Sequence, residues 1–261
     1  MRLIVPQINT GAYAARLLKK RLKDSKKFVL GLPTGGTAVD MYSAFREEYS
    51  KGNLSFKNVV TFNMDEYFGL PASHPQSYIS FMKRHLFDHV DIKPENINIP
   101  DGNAKDIEKE CFAYEEKIKN AGGIDLFFGG VGENGHIAFN EPFSSLQSQT
   151  HKVFLTQCTI KANSRFFNSE EETPKTAITV GVGTIMSARE VVILATGFKK
   201  AEAVRAALEG AVSSKWVISA LQLHKKAVIV ADSAACANLE PATFEYFKNL
   251  KDEYSELENI N

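Results

Sequence analysis

Residues Pro33-Thr34-Gly35-Gly36-Thr37 follow the apolar run Phe28–Leu32 and precede a helical pattern carried by Val39, Tyr42 and Phe45. Strand, glycine turn and helix in that order aim free backbone N–H groups at an anion, and the helix N-terminus adds partial positive charge. Thr34 and Thr37 could add hydroxyl donors. The segment lacks the lysine of a nucleotide P-loop and the G-x-G-x-x-G spacing of a dinucleotide loop. The anion it suits is therefore a sugar phosphate, with a plain turn and helix cap as the competing reading. Lys199 and Lys200 follow Thr196-Gly197 at the start of a later helix, where a lysine could reach a phosphate lodged against Gly35 and Gly36.

Two further strand ends carry polar residues. Asp65 and Glu66 lie just beyond the apolar run 59–62, so at least one could face a pocket; capping the next element or pairing with a surface lysine is the alternative. The run 124–128 breaks at Gly129, Gly130, Gly132 and Gly135 into Asn134, His136 and Glu141. In an open parallel sheet that edge is where small molecules bind, although a glycine run also serves close packing. His74, between Ser73 and Pro75, reads as a loop residue. His85 and His89 are one helical turn apart without a convincing third ligand, so zinc is not expected.

The elements that must position these groups are legible from periodicity. Strand runs occupy 2–5, Phe28–Leu32, 59–62, 124–128, 177–182, 191–194 and Ala227–Ala231. Helical stripes fall on Tyr13, Leu17, Leu18 and Leu22; on Ile79, Met82 and Leu86; and on Ile107, Cys111, Tyr114 and Ile118. Residues 94–103 read as a loop, 144–175 as a polar excursion able to act as a lid or a surface insertion, and Phe244, Phe247, Leu250 and Leu257 as a final amphipathic helix. With no linker composition, residues 1–261 are expected to form one α/β domain: an open, mostly parallel Rossmann-like sheet with helices on both faces.

Thirty-one basic and thirty-one acidic residues give zero formal charge, which excludes a whole-molecule basic footprint for nucleic acid or anionic membrane. The N-terminal run is interrupted by Pro6 and Asn9, unlike a signal peptide, and no stretch is apolar enough to span a bilayer. Cys111, Cys158 and Cys236 are isolated, which argues against a disulfide framework or a CxxC site. A cytoplasmic protein with neither nucleic-acid nor membrane partners is the expectation.

Five motifs in series, LGLPTGGT at 30–37, TFNMDEY at 61–67, GGVGENGHIAFNEP at 129–142, ANSRFF at 162–167 and TVGVGT at 179–184, resemble the glucosamine-6-phosphate deaminase family, and they span nearly the whole chain. The resemblance implies conversion of glucosamine 6-phosphate and water to fructose 6-phosphate and ammonia, with no organic cofactor and no metal. Asp65 matches the base that moves a proton between sugar C2 and C1, His136 the ring-opening histidine, and Glu141 the carboxylate that orients it. Asn134 stands where many members carry an acid; it can orient but cannot add charge, unless Glu133 turns inward to compensate. Arg165 and Lys200 match phosphate contacts, joined by Gly35, Gly36 and Thr37. Beyond Ser144-Ser145, His151 and Val153 occupy the positions of a basic pair found in members activated by N-acetylglucosamine 6-phosphate, so such activation is expected to be weak or absent. A homohexamer is the assembly suggested by the resemblance. A 6-phosphogluconolactonase-like hydrolase and a non-catalytic sugar-phosphate sensor are the alternative functions.

Overall fold

The computed structural model describes residues 1–23, 25–167 and 169–259. In chain order the elements are β1 (Arg2–Ile4), α1 (Thr10–Leu22), β2 (Phe28–Leu32), α2 (Gly36–Ser50), β3 (Val59–Asn63), β4 (Asp65–Tyr67), α3 (Tyr78–His85), β5 (Ile97–Asn98) and α4 (Ile107–Ala121). They continue with β6 (Leu126–Gly130), β7 (His151–Phe154), α5 (Gln157–Ser164), β8 (Thr176–Thr179), α6 (Val182–Met186), β9 (Glu190–Ala195), α7 (Ala201–Leu208), β10 (Ala227–Ala231) and α8 (Pro241–Asn249).

Seven strands form one parallel sheet in the order β1-β10-β9-β6-β2-β3-β5. Side chains alternate across each strand, and here both faces are covered. Leu126 and Phe128, Val192 and Leu194, and Val228 and Val230 pack on one side with Tyr13 and Leu17 of α1 and Tyr42 and Phe45 of α2. Phe127, Val191, Ile193 and Ile229 pack on the other with Tyr114 and Ile118 of α4 and Val204 of α7. That double coverage explains the near-continuous apolar runs in the sequence. Each large side chain so buried contributes about 1.5–3 kcal/mol.

Local signals set the helix ends. Asn9 accepts from the Ala12 N–H and Asp106 from the Lys109 N–H, and α4 stops at Gly122 in the left-handed conformation, φ 100°, which costs glycine little. From β2 the chain steps outward to β3 and β5, then returns to lay β6 against the other side of β2. The C-terminal ends of β2 and β6 therefore flank a topological switch point, where such sheets open a crevice.

Three readings of the sequence need correction. Residues 177–182 do not join the main sheet: β8 pairs antiparallel with β4 and β7 in a separate three-stranded sheet. Two of its strands have too few residues for period-2 patterning to stand out. Residues 94–103 contain the edge strand β5, missed because only two residues pair. The tail is not one helix. α8 ends at Asn249 and a 3₁₀ turn, Ser255–Asn259, follows, because the bend between them is held by Arg2, whose guanidinium donates to the carbonyls of Phe247 and Leu250 and pairs with Asp252 at 2.8 Å. Among the described residues, no helix is long and apolar enough to cross a membrane.

Candidate active site

A cleft of about 580 Å³ opens above the switch point and is lined by Gly35, Gly36, Thr37, Asp65, Asn134, His136, Arg165 and Lys200. Eight of the nine residues singled out from sequence thus meet in one cavity, although they come from five separate stretches of chain. The ninth, Glu141, lies behind His136, buried.

The cleft gathers a glycine turn and cationic side chains. Gly35 caps the fifteen-residue α2 at φ 95° and ψ 179°, a region open essentially to glycine alone. A Cβ built at Gly35 or Gly36 would meet nothing within 4 Å, so this loop faces open space. Lys200 lines the same cleft; burial lowers its pKa first, Glu133 opposes that, and Lys199 and Arg165 push it further down. An anion that neutralised this positive cluster would be favoured. The Arg165 guanidinium lies 4.7 Å from the Phe166 ring centroid. Glu133 pairs with Lys199 at 3.5 Å, so it does not turn inward to replace the missing acid at Asn134.

Asp65 and Glu66 divide the work of adjacent acids, because strand alternation sends them to opposite sides. The Glu66 carboxylate accepts from the backbone N–H groups of Tyr67, Tyr78 and Ile79, which fastens the start of α3. Asp65 faces the cleft, 4 % exposed, and its Oδ1 has no hydrogen-bond partner among the described residues. Burial raises its pKa well above the ordinary carboxylate range, the charge of Glu66 raises it further, and the Thr34 hydroxyl partly offsets both. A carboxylate so placed is a stronger base than one in water.

The glycine-rich loop after β6 holds the imidazole. A Cβ on Gly132 would lie 2.2 Å from His136 Cε1, so the ring packs where only glycine leaves room. Ala138 has φ 53° and Phe143 φ 73°, strained backbone on either side of Glu141. Asn140 keeps this loop shaped by donating to the carbonyls of Ile137 and Val180. Asn134 donates through Nδ2 to Glu141 Oε2 at 2.8 Å and accepts from the His136 N–H. His136 Nδ1 lies 3.5 Å from the same Oε2, an electrostatic contact longer than a good hydrogen bond. Burial pushes the Glu141 pKa upward, but the proximity and charge of His136, then the hydrogen bonds from Thr159 and Asn134, outweigh it and hold it down at about 2.

Sequence reasoning missed several residues here. Thr159, Lys161 and Asn163 on or beside α5, and Tyr78 at the start of α3, also line the cleft. Periodicity carried no signal for them, since α5 is short and has polar residues on most sides. No group of three or more His, Cys, Asp or Glu suited to a metal ion occurs among the described residues. Cys111 and Cys236 are free and buried; the Cys158 side chain lies outside the described residues.

A cleft at the switch point of an α/β sheet that gathers a glycine turn, cationic side chains and acid–base side chains is suited to small phosphorylated molecules. A family model for glucosamine-6-phosphate isomerases/6-phosphogluconolactonase matches residues 8–230. The chain is 54 % identical over 248 residues to a glucosamine-6-phosphate deaminase of Bacteroides fragilis, covering 95 % of this chain and 92 % of that one. To the glucosamine-6-phosphate deaminase of Cronobacter sakazakii it is 55 % identical, with 97 % and 98 % covered. A solved structure described as a monomeric glucosamine-6-phosphate deaminase superposes with a TM-score of 0.88 at 41 % identity, over 91 % of this chain and 99 % of that one. A 6-phosphogluconolactonase of Thermotoga maritima shares the fold, with a TM-score of 0.69 at 18 % identity over 89 % of this chain and 100 % of that one. The chain belongs to the glucosamine-6-phosphate isomerase/6-phosphogluconolactonase family, on its glucosamine-6-phosphate deaminase side.

Proposed function

We propose that the protein converts glucosamine 6-phosphate and water to fructose 6-phosphate and ammonia, by aldose–ketose isomerisation coupled to deamination. The observation that carries this reading is the placement of Asp65 and His136 in one cleft with the anion cradle of Gly35, Gly36, Thr37, Arg165 and Lys200. Identity above 50 % to deaminases over nearly the whole chain supports the same substrate.

In this reading the phosphate binds in the cradle, and its binding energy aligns the distant reacting end. His136 carries a proton between the anomeric hydroxyl and the ring oxygen, opening the sugar to its aldehyde. Glu141 supplies the negative charge that orients the imidazole, and Asn134 fixes the carboxylate without adding charge of its own. Asp65 then removes the C2 proton as the C1 oxygen gains one, giving an enolamine, and returns a proton to C1. The resulting C2 iminium adds water and expels ammonia, leaving the ketone.

The test is purified protein supplied with glucosamine 6-phosphate, with both products measured. Ammonia and fructose 6-phosphate in equal amounts are expected; folded protein yielding neither overturns the reading. Hydrolysis of a 6-phosphogluconolactone alone would favour the lactonase function, and binding without turnover the sensor. Residues 1–261 act in this scheme as one catalytic domain, with a lid over substrate drawn from within 144–175. We assign the reaction to the cytoplasm, where charge retains phosphorylated sugars. A homohexamer is the proposed assembly; sedimentation at the mass of a single chain, the state described for one solved relative, would overturn it.

A further inference from the structure

The two oxygens of Glu141 are held by two different elements. Oε2 belongs to the glycine-rich loop, through Asn134 Nδ2 at 2.8 Å and His136 Nδ1 at 3.5 Å. Oε1 belongs to α5: the Thr159 hydroxyl donates to it, and so does that of Thr156 at 3.1 Å. Thr156 is also the N-cap of α5, accepting from the Thr159 N–H. Both Thr159 and Glu141 are 6 % exposed, so the Thr159 contact is shielded from bulk water, whereas Thr156 is exposed. The same short stretch sends Lys161, Asn163 and Arg165 into the cleft.

We infer that Thr159, assisted by Thr156, is a positioning residue for ring opening, tying the Glu141 carboxylate to the helix that carries the phosphate-contact arginine. This inference rests on the deaminase reading. A carboxylate has about four acceptor sites; with one oxygen anchored in the loop, the α5 hydroxyls decide the rotation of the other, and so where the negative charge faces His136. Arg165 sits at the C-terminal end of α5. Phosphate bound there fixes the helix, and a fixed helix fixes Oε1. Remote binding energy is thereby spent on orienting the ring-opening pair. Thr159 lies buried beside the core residue Ile160, and its hydroxyl has an acceptor that carries charge; such hydrogen bonds are among the stronger ones.

The test compares wild type, Thr159→Val and Thr159→Ser in the deamination assay, with inorganic phosphate as a competitive probe of the cradle. Valine matches threonine in shape but cannot donate. Its kcat is expected to fall at least about tenfold, the scale of a lost hydrogen bond to a charged group, while KM and the inhibition constant for phosphate stay within about twofold. Serine, which keeps the hydroxyl, is expected to restore most of the rate. A valine variant with wild-type kcat overturns the inference. So does a loss of kcat and phosphate affinity together that serine fails to rescue, since that pattern belongs to helix packing. Wild-type protein with no deamination would instead overturn the deaminase reading on which the inference rests.

Discussion

Asp65 and Glu141 are two buried carboxylates whose surroundings drive their pKa values apart, Asp65 upward and Glu141 down to about 2, as expected for groups with different tasks. Their effects on stability have opposite sign. Ionised Asp65 opposes folding, so Asp65→Asn should raise Tm at pH 7. That gain should vanish as pH falls below the unfolded value of 3.8, where the wild-type residue is protonated both folded and unfolded. Calorimetry across pH measures this, and the same variant should lose turnover by about 10²-fold or more with substrate still bound. Wild-type turnover should decline on the acid side at a pH above the ordinary aspartate range. Glu141 behaves in reverse: its depressed pKa stabilises the fold above its unfolded value near 4.5, and this stability is lost as pH falls through about 2. Glu141→Gln should accordingly cost on the order of 2 kcal/mol at pH 7. The deficit should close in acid, and kcat should fall more than KM changes.

At the scale of elements, glycines decide what the loops can present. Gly35→Ala forces φ 95° and ψ 179° on a residue with a Cβ, costing about 1–3 kcal/mol. Relaxing that strain would turn the amides away from the cleft. The expected result is a KM and a phosphate inhibition constant raised about tenfold with kcat less affected. Gly132→Ala should act on the other end of the cleft: its Cβ would fall within the His136 ring, so kcat should drop while phosphate inhibition is retained. Sequence reading reached these loops because a parallel strand buried on both faces is a continuous apolar run, and its end is marked by glycine and polar residues. The same reading failed for the small antiparallel sheet and for α5. The half-buried Val153 sits between the exposed Lys152 and the exposed Phe154, and so brief an alternation looks the same as a loop.

Across the whole molecule, the chain ends are joined far from the cleft. Arg2 and the tail form one clamp; Glu190, at the start of β9, accepts from Arg21 and from the Tyr254 hydroxyl in another. Both lie at the N-terminal edge of the sheet, opposite the catalytic edge. Arg2→Ala should therefore destabilise by about 1–3 kcal/mol, since it leaves one oxygen of the part-exposed Asp252 and the carbonyls of Phe247 and Leu250 without this donor, while kcat per folded molecule is unchanged; a thermal melt and an active-site-normalised assay check the two halves. What the sequence by itself determined was the set of parts: which runs are strands buried on both faces, which turns carry glycine where a side chain would not fit, and which motif places Asp65, His136 and Glu141 in order. Those are local properties of hydrophobicity and backbone freedom. Only the tertiary structure decided that Asp65 rather than Glu66 faces the cleft, that Glu133 pairs with Lys199 instead of serving His136, and that α5 brings its threonines to Glu141. Each of these depends on which distant surfaces pack together, and spacing along the chain does not encode that.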